Sequence, residues 1–440
     1  MRSIDKLTLG LGAILLSLGL GCSGGEAEEP APAAETPAEA TEATEEPAEV
    51  AIPFEVLTAM AFVDDSTLLV ADSGTGKVHA LAVPEATNTQ AQAGYDVADV
   101  DGSVAELLGT TRENIRIRDM AIHPSTKEAY VAVSRVTGDE YASAVVILNQ
   151  AGNVRLLETD DDAPALQIPF SPAEEFTFYN EFPSRDLSFT DLEVHDGSLY
   201  IAGLSNADFA STLWKTSLPL TGEVTTTRVE IYHTVHNQQE TRAPIRTMTV
   251  VNVEGTDYMV AAYTCTPLVV FPLSEIADGA RITGKTIAEL GFGNTPGDIL
   301  AFTGQDAQQN PFPVLFIQHK NQSSQVIAMN AVAQAIQRDG LSEPVSMGDM
   351  SQSLGASAMP LINVLQIDDQ DPGHLAMLRR DMDTGRAELV SVMKNVYFRL
   401  SDFQSEYEIP TYAYNEAQGP IREFQNLMKR DEGYPELARE

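Results

Sequence analysis

Cysteine is almost missing from this chain. Its 440 residues hold two, Cys22 and Cys265. If Cys22 is modified at the N-terminus, Cys265 has no intramolecular partner and is buried, bound to a ligand or paired with another molecule. Positive charge is also scarce: 27 Lys and Arg face 64 Asp and Glu, a formal net charge of -37. The first fifty residues set Arg2 and Lys6 against Asp5 and nine Glu, a balance of -8 that leaves -29 for the remainder. Such a field excludes nucleic acid as a partner and favours cations or basic surfaces; it also serves as a solubilising surface. Long apolar runs are lacking too. Leu7–Leu20 is shorter than the roughly 20 residues a membrane span needs, and no later segment is a candidate. There is no GxSxG elbow between a strand and a helix, no HExxH helix and no CxxCH. Their absence removes the readily recognised hydrolase, metalloprotease and c-type cytochrome classes.

What the N-terminus does have is an address. Arg2 and Lys6 precede the apolar Leu7–Leu20, and small residues surround Cys22. The sequence LSLGLGC-SGG resembles a bacterial lipoprotein lipobox, with Gly19 where that pattern has Leu. The resemblance implies that residues 1–21 are a signal peptide and that Cys22 becomes the lipidated first residue. A secretory signal cut nearby is the alternative. Ser23 is compatible with outer-membrane sorting, facing the periplasm or the cell surface. Residues 22–50 include the Ala/Glu/Pro/Thr run Glu26–Glu49, which has no aromatic residue and reads as a disordered acidic tether. The folded part is expected over 51–440.

From Ile52 the pattern is short β-rich runs broken by Gly, Asp, Asn and Pro. A strand–turn–strand unit recurs at Ala59, Asp119, Asp191, Thr247, Asp298 and Asn363, with spacings of 51 to 72 residues. Third strands follow, as in KVHALAV from Lys77 and AELVSVM from Ala387. Sheets repeated at this period bury their faces only against their neighbours, so the array must close into a ring: an all-β, single β-propeller. Six blades are counted. A seventh would lie in Ser171–Glu181, or in Tyr397–Tyr414 paired with Phe54–Leu57. Short helical patterns occur at Ala331–Arg338 and Ile421–Arg430. The stretch IHPSTKEAYVAV resembles the YVTN- and NHL-type propeller repeat, a likeness covering about 52–395 that implies fold more than function.

In a propeller, the start of each innermost strand and the end of the next strand share one face around the channel. Asp119, Asp191, Asp298, His319 and Arg379 are therefore expected at one mouth, with Arg246 beside them. The carboxylates suit a hard cation such as Ca²⁺, or else they bond neighbouring backbone N–H groups and lock the blades together. The stretch Ile231–Pro267 brings His233, His236, Glu240, Arg242, Arg246 and Cys265 toward the same face. His233, His236, Glu240 and Cys265 offer ligands for zinc or copper. Arg242 or Arg246 suits an anionic group, with His as acid/base, and an ordered structural loop accounts for the same residues. Asp381-x-Asp383-x-Gly385 resembles half a calcium loop but reads as a hairpin turn, and His123 and His195 read as turn residues.

The function expected from sequence is a lipid-anchored envelope propeller that binds a ligand or protein partner at its channel face. The alternative is a metal-dependent, lactonase-like hydrolase, or an accessory to periplasmic redox chemistry, using His233, His236, Glu240 and Cys265.

Overall fold

Alternation of side chains along short strands dictates this fold. In strand Ser198–Leu204, Leu199 and Ile201 point to one face and Tyr200 and Ala202 to the other, and all four are buried. A strand with two apolar faces needs a neighbour on each side. Tight turns set the pairing. Asp196-Gly197 and Glu254-Gly255 both adopt the successive positive φ angles of a type I′ hairpin. The computed structural model describes residues 52–394 except 85–93, 139, 161, 170–176, 179–181, 206–209, 221, 265, 291–294, 307–308, 320–322, 346–351, 360 and 382–383. Cys22, the tether, Tyr397–Tyr414 and the Ile421–Arg430 pattern lie outside the described residues. No described helix is long and apolar enough to cross a membrane.

The strands form an all-β, propeller-like arrangement. Among the described residues there are four four-stranded sheets, one nine-stranded sheet and a two-stranded ladder. The nine-stranded sheet is two antiparallel halves, joined by parallel pairing of Thr225–His233 with Arg281–Glu289. Among the described residues six strands are innermost: Leu57–Asp64, Ile115–Ile122, Asp191–His195, Ile245–Val253, Pro296–Gln305 and Val364–Asp371.

The core shows how these units neighbour one another, and they do not follow chain order. Leu68 and Val70 of the first unit pack with Tyr130 and Ala132 of the second. Leu69 and Ala71, on the opposite face, pack with Leu199 and Ile201 of the third. The first unit therefore lies between the second and third. Val131 and Val133 of the second unit meet Ala376 and Leu378 of the last. Met377 of the last meets Val314 and Phe316 of the fifth. Leu315 and Ile317 meet Val260 and Ala262 of the fourth, whose Met259 and Ala261 meet Tyr200 and Ala202 of the third. The circle closes with the first two units exchanged.

Two outer strands are lent across that circle. Ala165–Gln167, which follows the second unit, pairs with Lys77–Ala82 of the first. Asp96–Val97, which follows the first unit, pairs with Ala387–Met393 of the last. Phe54 bridges Ser143 of the second unit; within Ser171–Glu181 only Thr177–Phe178 is described, paired with Phe182–Pro183 in the two-stranded ladder. The expected helix appears as Met329–Gln337. A second helix, Val100–Leu107, follows the lent strand.

Candidate functional site

All six innermost strands line one cavity of about 440 Å³. Five carboxyls face it: Asp119, Asp191, Glu193, Asp298 and Asp368, with Asp369 at its edge and Lys127 as the one cationic residue in the lining. Each of the five ties its strand to a neighbour. Asp119 accepts from the Met120 amide (2.8 Å) and from Met60 on the first unit (2.5 Å). Asp191 accepts from Leu192 (2.8 Å) and Met248 (2.6 Å), and Asp298 from Ile299 (2.9 Å) and Ile367 (3.2 Å). One tier further along, Glu193 accepts from Val250 (3.0 Å) and Asp368 from Ile122 (2.6 Å).

These carboxyls are partly open to the cavity yet enclosed by protein, and enclosure decides their electrostatics. Burial pushes Asp191 up to about 7, against the amides of Met248 and Leu192, Thr247 and the charge of Arg246. Burial likewise raises Glu193 to about 8 and Asp368 to about 6. Asp119 and Asp298 are held well above the usual carboxyl range by burial and by the charges around them, Asp191 among them. The cavity is an acidic chamber poorly supplied with compensating cations. Among the described residues, no three of these carboxyls bring ligand oxygens within 4.8 Å of one another.

The second site is a hairpin. Strand Thr225–His233 turns through Asn237, in left-handed backbone (φ 51), and returns as Gln238–Glu240. His233, His236 and Glu240 thereby meet, with one ligand atom from each within 4.8 Å of the others. Glu240 Oε1 lies 3.1 Å from His233 Nδ1, 2.6 Å from His236 Nδ1 and 3.0 Å from Gln238 Nε2. The imidazole centroids are 3.9 Å apart. His233 is buried, and its Nε2 meets Thr266 Oγ1 at 3.0 Å. Burial alone would raise the Glu240 carboxyl, but hydrogen bonds from His233, Gln238 and His236 outweigh it and hold it at about 2. Alongside lies a cavity of about 360 Å³ lined by His236, Glu240, Arg242 and Thr264, among others. Behind it, the Thr234 amide and hydroxyl bond the buried carboxylate of Glu289.

No family model and no curated protein matches the chain. It is similar to solved structures at low scores. One is the PQQ-bound aldose sugar dehydrogenase of Streptomyces coelicolor, at 9% identity over 78% of this chain and 96% of that one, with TM-score 0.31. Another is the hydrazine synthase of Kuenenia stuttgartiensis, at 9% identity over 79% and 98%, with TM-score 0.30. Drosophila Plexin A in complex with Semaphorin 1b matches at 8% identity over 77% and 87%, with TM-score 0.28. At such scores these likenesses say nothing of what the chain does.

The residues singled out from sequence divide between several places. Asp119, Asp191 and Asp298 share the axial cavity. His236, Glu240 and Arg242 border the hairpin cavity, which has no lining residue in common with the axial one, and buried His233 joins them through Glu240 Oε1. Cys265 lies outside the described residues; its neighbours Thr264 and Thr266 both reach the hairpin site. Arg246 follows Ile245 at a bulge in its strand, and its charge acts on Asp191. His319 is fully buried, and burial lowers it to about 3. Gln325 lies beside it, though without a well-formed hydrogen bond to either ring nitrogen. Arg379 binds Glu388 at 2.7 Å. His319 and Arg379, expected at the same mouth, are not among the residues lining the axial cavity.

Glu193 and Asp368 were missed. Strand alternation would have found Glu193, two residues beyond Asp191 and so on the same face. In the last unit Gln366, rather than Asn363, occupies the position of Asp119 and Asp298, since each of the three directly follows the bulge of its innermost strand. Asp368 then corresponds to Glu193. Asp381 caps its turn by accepting from Thr384 N (2.7 Å), and Gly385 has φ 69, which makes this segment a hairpin turn. His123 is buried in a turn, with Nδ1 accepting from the Ser125 and Thr126 amides.

Proposed function

We propose that this chain is a six-bladed β-propeller of YVTN/NHL-like repeats, held at the bacterial envelope through an acylated Cys22. In this reading it binds the positively charged part of a small ligand or protein partner in its axial cavity, without turnover. The observation that carries the reading is the cavity itself: five enclosed carboxyls contributed by four innermost strands, one lining lysine, and about 440 Å³ of space. Carboxyls raised by burial and mutual repulsion are lowered again when a cation arrives, so cation binding is coupled to release of protons and strengthens as pH rises. The folded charge of -29 steers cationic partners toward it.

Calorimetry with spermidine and with Ca²⁺ at pH 8 tests this. Binding is expected to weaken as salt is raised and to drop by about tenfold or more in a Glu193→Gln/Asp368→Asn double variant, as for loss of charge-assisted contacts worth roughly 1.5–3 kcal/mol. Absence of heat with both probes would sink the reading. Anchoring is tested separately, by detergent-phase partition that Cys22→Ala abolishes. Partition of the wild type into the aqueous phase would discard the anchor alone.

The convergence of His233, His236 and Glu240 favours one further reading: a metal-dependent lactonase-like hydrolase, or an accessory to periplasmic redox chemistry. Zinc- or copper-loaded protein that neither opens lactones nor exchanges electrons with a dye acceptor would remove it.

A further inference from the structure

We infer that the Thr225–Glu240 hairpin is a transition-metal site. In it His233 Nδ1, His236 Nδ1 and a Glu240 carboxylate oxygen hold one Zn²⁺, and a remaining coordination position opens to the cavity beside Arg242. The inference does not depend on the axial cavity, with which this site shares no lining residue.

The first argument is the hydrogen bonding itself. A carboxylate oxygen carries two lone pairs, yet three donors, from His233, His236 and Gln238, converge on Glu240 Oε1 at 3.1, 2.6 and 3.0 Å. The neighbouring imidazoles, 3.9 Å apart between centroids, repel each other when both are protonated. One divalent ion resolves both conflicts. It takes the Nδ1 lone pair of each neutral ring and the carboxylate charge at a single point.

Distances agree with this. Zn–N of about 2.0–2.1 Å and Zn–O of about 2.0–2.2 Å place neighbouring ligand atoms of a tetrahedral ion about 3.3 Å apart. The His233–Glu240 separation of 3.1 Å is already close to that. The His236 side chain, 36% exposed on the turn, has room to move outward by the remaining fraction of an ångström.

Thr266 supplies the support that metal-bound histidines need. Its hydroxyl sits 3.0 Å from His233 Nε2. It donates there when the proton is on Nδ1, and accepts from Nε2–H once Nδ1 is given to the metal, which fixes the ring and its tautomer. Two imidazoles and one carboxylate suit Zn²⁺, with Cu²⁺ as the stronger competitor, and do not suit Ca²⁺ or Mg²⁺. Three protein ligands, two of which (His236 and Glu240) line a cavity of about 360 Å³, leave a position for water or for an anionic ligand that Arg242 can grip.

The test uses the full chain without a polyhistidine tag. After equilibration with Zn²⁺ and dialysis, elemental analysis is expected to find one zinc per chain. Co²⁺ in its place is expected to give the visible absorption of a four- or five-coordinate ion. Thr266→Val, which keeps the side-chain shape, should weaken zinc binding about 10–100-fold. His236→Ala, on the exposed turn, should abolish retention while the circular dichroism stays unchanged, and Glu240→Gln provides the same test should that variant misfold. Asp298→Asn, in the axial cavity, should retain its zinc. A wild type that retains none, retention equal to wild type in both His236→Ala and Glu240→Gln, or loss in a folded Asp298→Asn would each overturn the assignment.

Discussion

Asp298 shows how one residue type serves two purposes. Its carboxyl bonds its own strand at Ile299 and the next at Ile367, while still bordering the axial cavity. Removing it strands two amides, each costing about 1–3 kcal/mol when left unsatisfied. Asp298→Ala should therefore lose about 2–6 kcal/mol, and Asp298→Asn less, because an amide oxygen still accepts. Urea denaturation of both variants measures this, and an Asp298→Ala midpoint equal to that of wild type would show that the lock is dispensable. Position in the repeat made Asp119, Asp191 and Asp298 readable from sequence as channel-facing residues, since hairpin register fixes which end of a strand meets the axis. His319 and Arg379 were placed by the same logic, but burial of the one and the Glu388 pairing of the other are tertiary facts that periodicity does not carry. An i, i+3 spacing such as that of His233 and His236 suits a helix or turn. The left-handed Asn237 allows a hairpin instead, and only that hairpin brings Glu240 back to them.

Elements reveal a dependence that counting repeats cannot. Helix Val100–Leu107 and the lent strand Asp96–Val97 are fastened to the last unit, almost three hundred residues away, through Asp101. That side chain is almost completely buried. It binds Arg112 at 2.9 Å and Arg380 at 3.1 Å, and accepts from the Ala387 amide at 3.0 Å. Asp101→Ala would leave two guanidinium groups without their shared partner and one buried amide unsatisfied. Both arginines keep some solvent, so the loss is expected near the lower end for a broken buried pair, about 3 kcal/mol. Thermal unfolding should show it as a lower Tm, and limited proteolysis as faster cleavage within 96–107. Unchanged Tm and cleavage would mean that the clasp bears no load. The strands themselves were legible, because alternation and turn residues are local signals. The exchange of the first two units was not, because it is fixed by which apolar face meets which, as with Leu68 and Val70 against Tyr130.

At the scale of the whole molecule, the axial carboxyls make stability depend on pH in a stated direction. Asp191, Glu193 and Asp368 rise from ordinary values of 3.8, 4.5 and 3.8 to about 7, 8 and 6, with burial the leading cause. Between the unfolded and folded values the folded state holds more protons than the unfolded one. The stability these groups contribute is therefore complete below about pH 4 and is lost as pH rises through the folded values. Glu240 acts in the opposite sense. Lowered from 4.5 to about 2, it contributes above its unfolded value, and that contribution disappears as pH falls toward 2. Together these groups place the most stable condition on the acid side of neutrality, with Tm falling from pH 5 to pH 8.5. Glu193→Gln tests the cause, because its amide oxygen still accepts from Val250 but cannot ionise. Its Tm should exceed that of wild type at pH 8 and differ little at pH 5, and spermidine should narrow the gap at pH 8 by supplying the missing positive charge. A wild-type Tm that is flat across this range, or an equal slope in Glu193→Gln, would show that the axial chamber is electrostatically relaxed and that its acidity has another purpose.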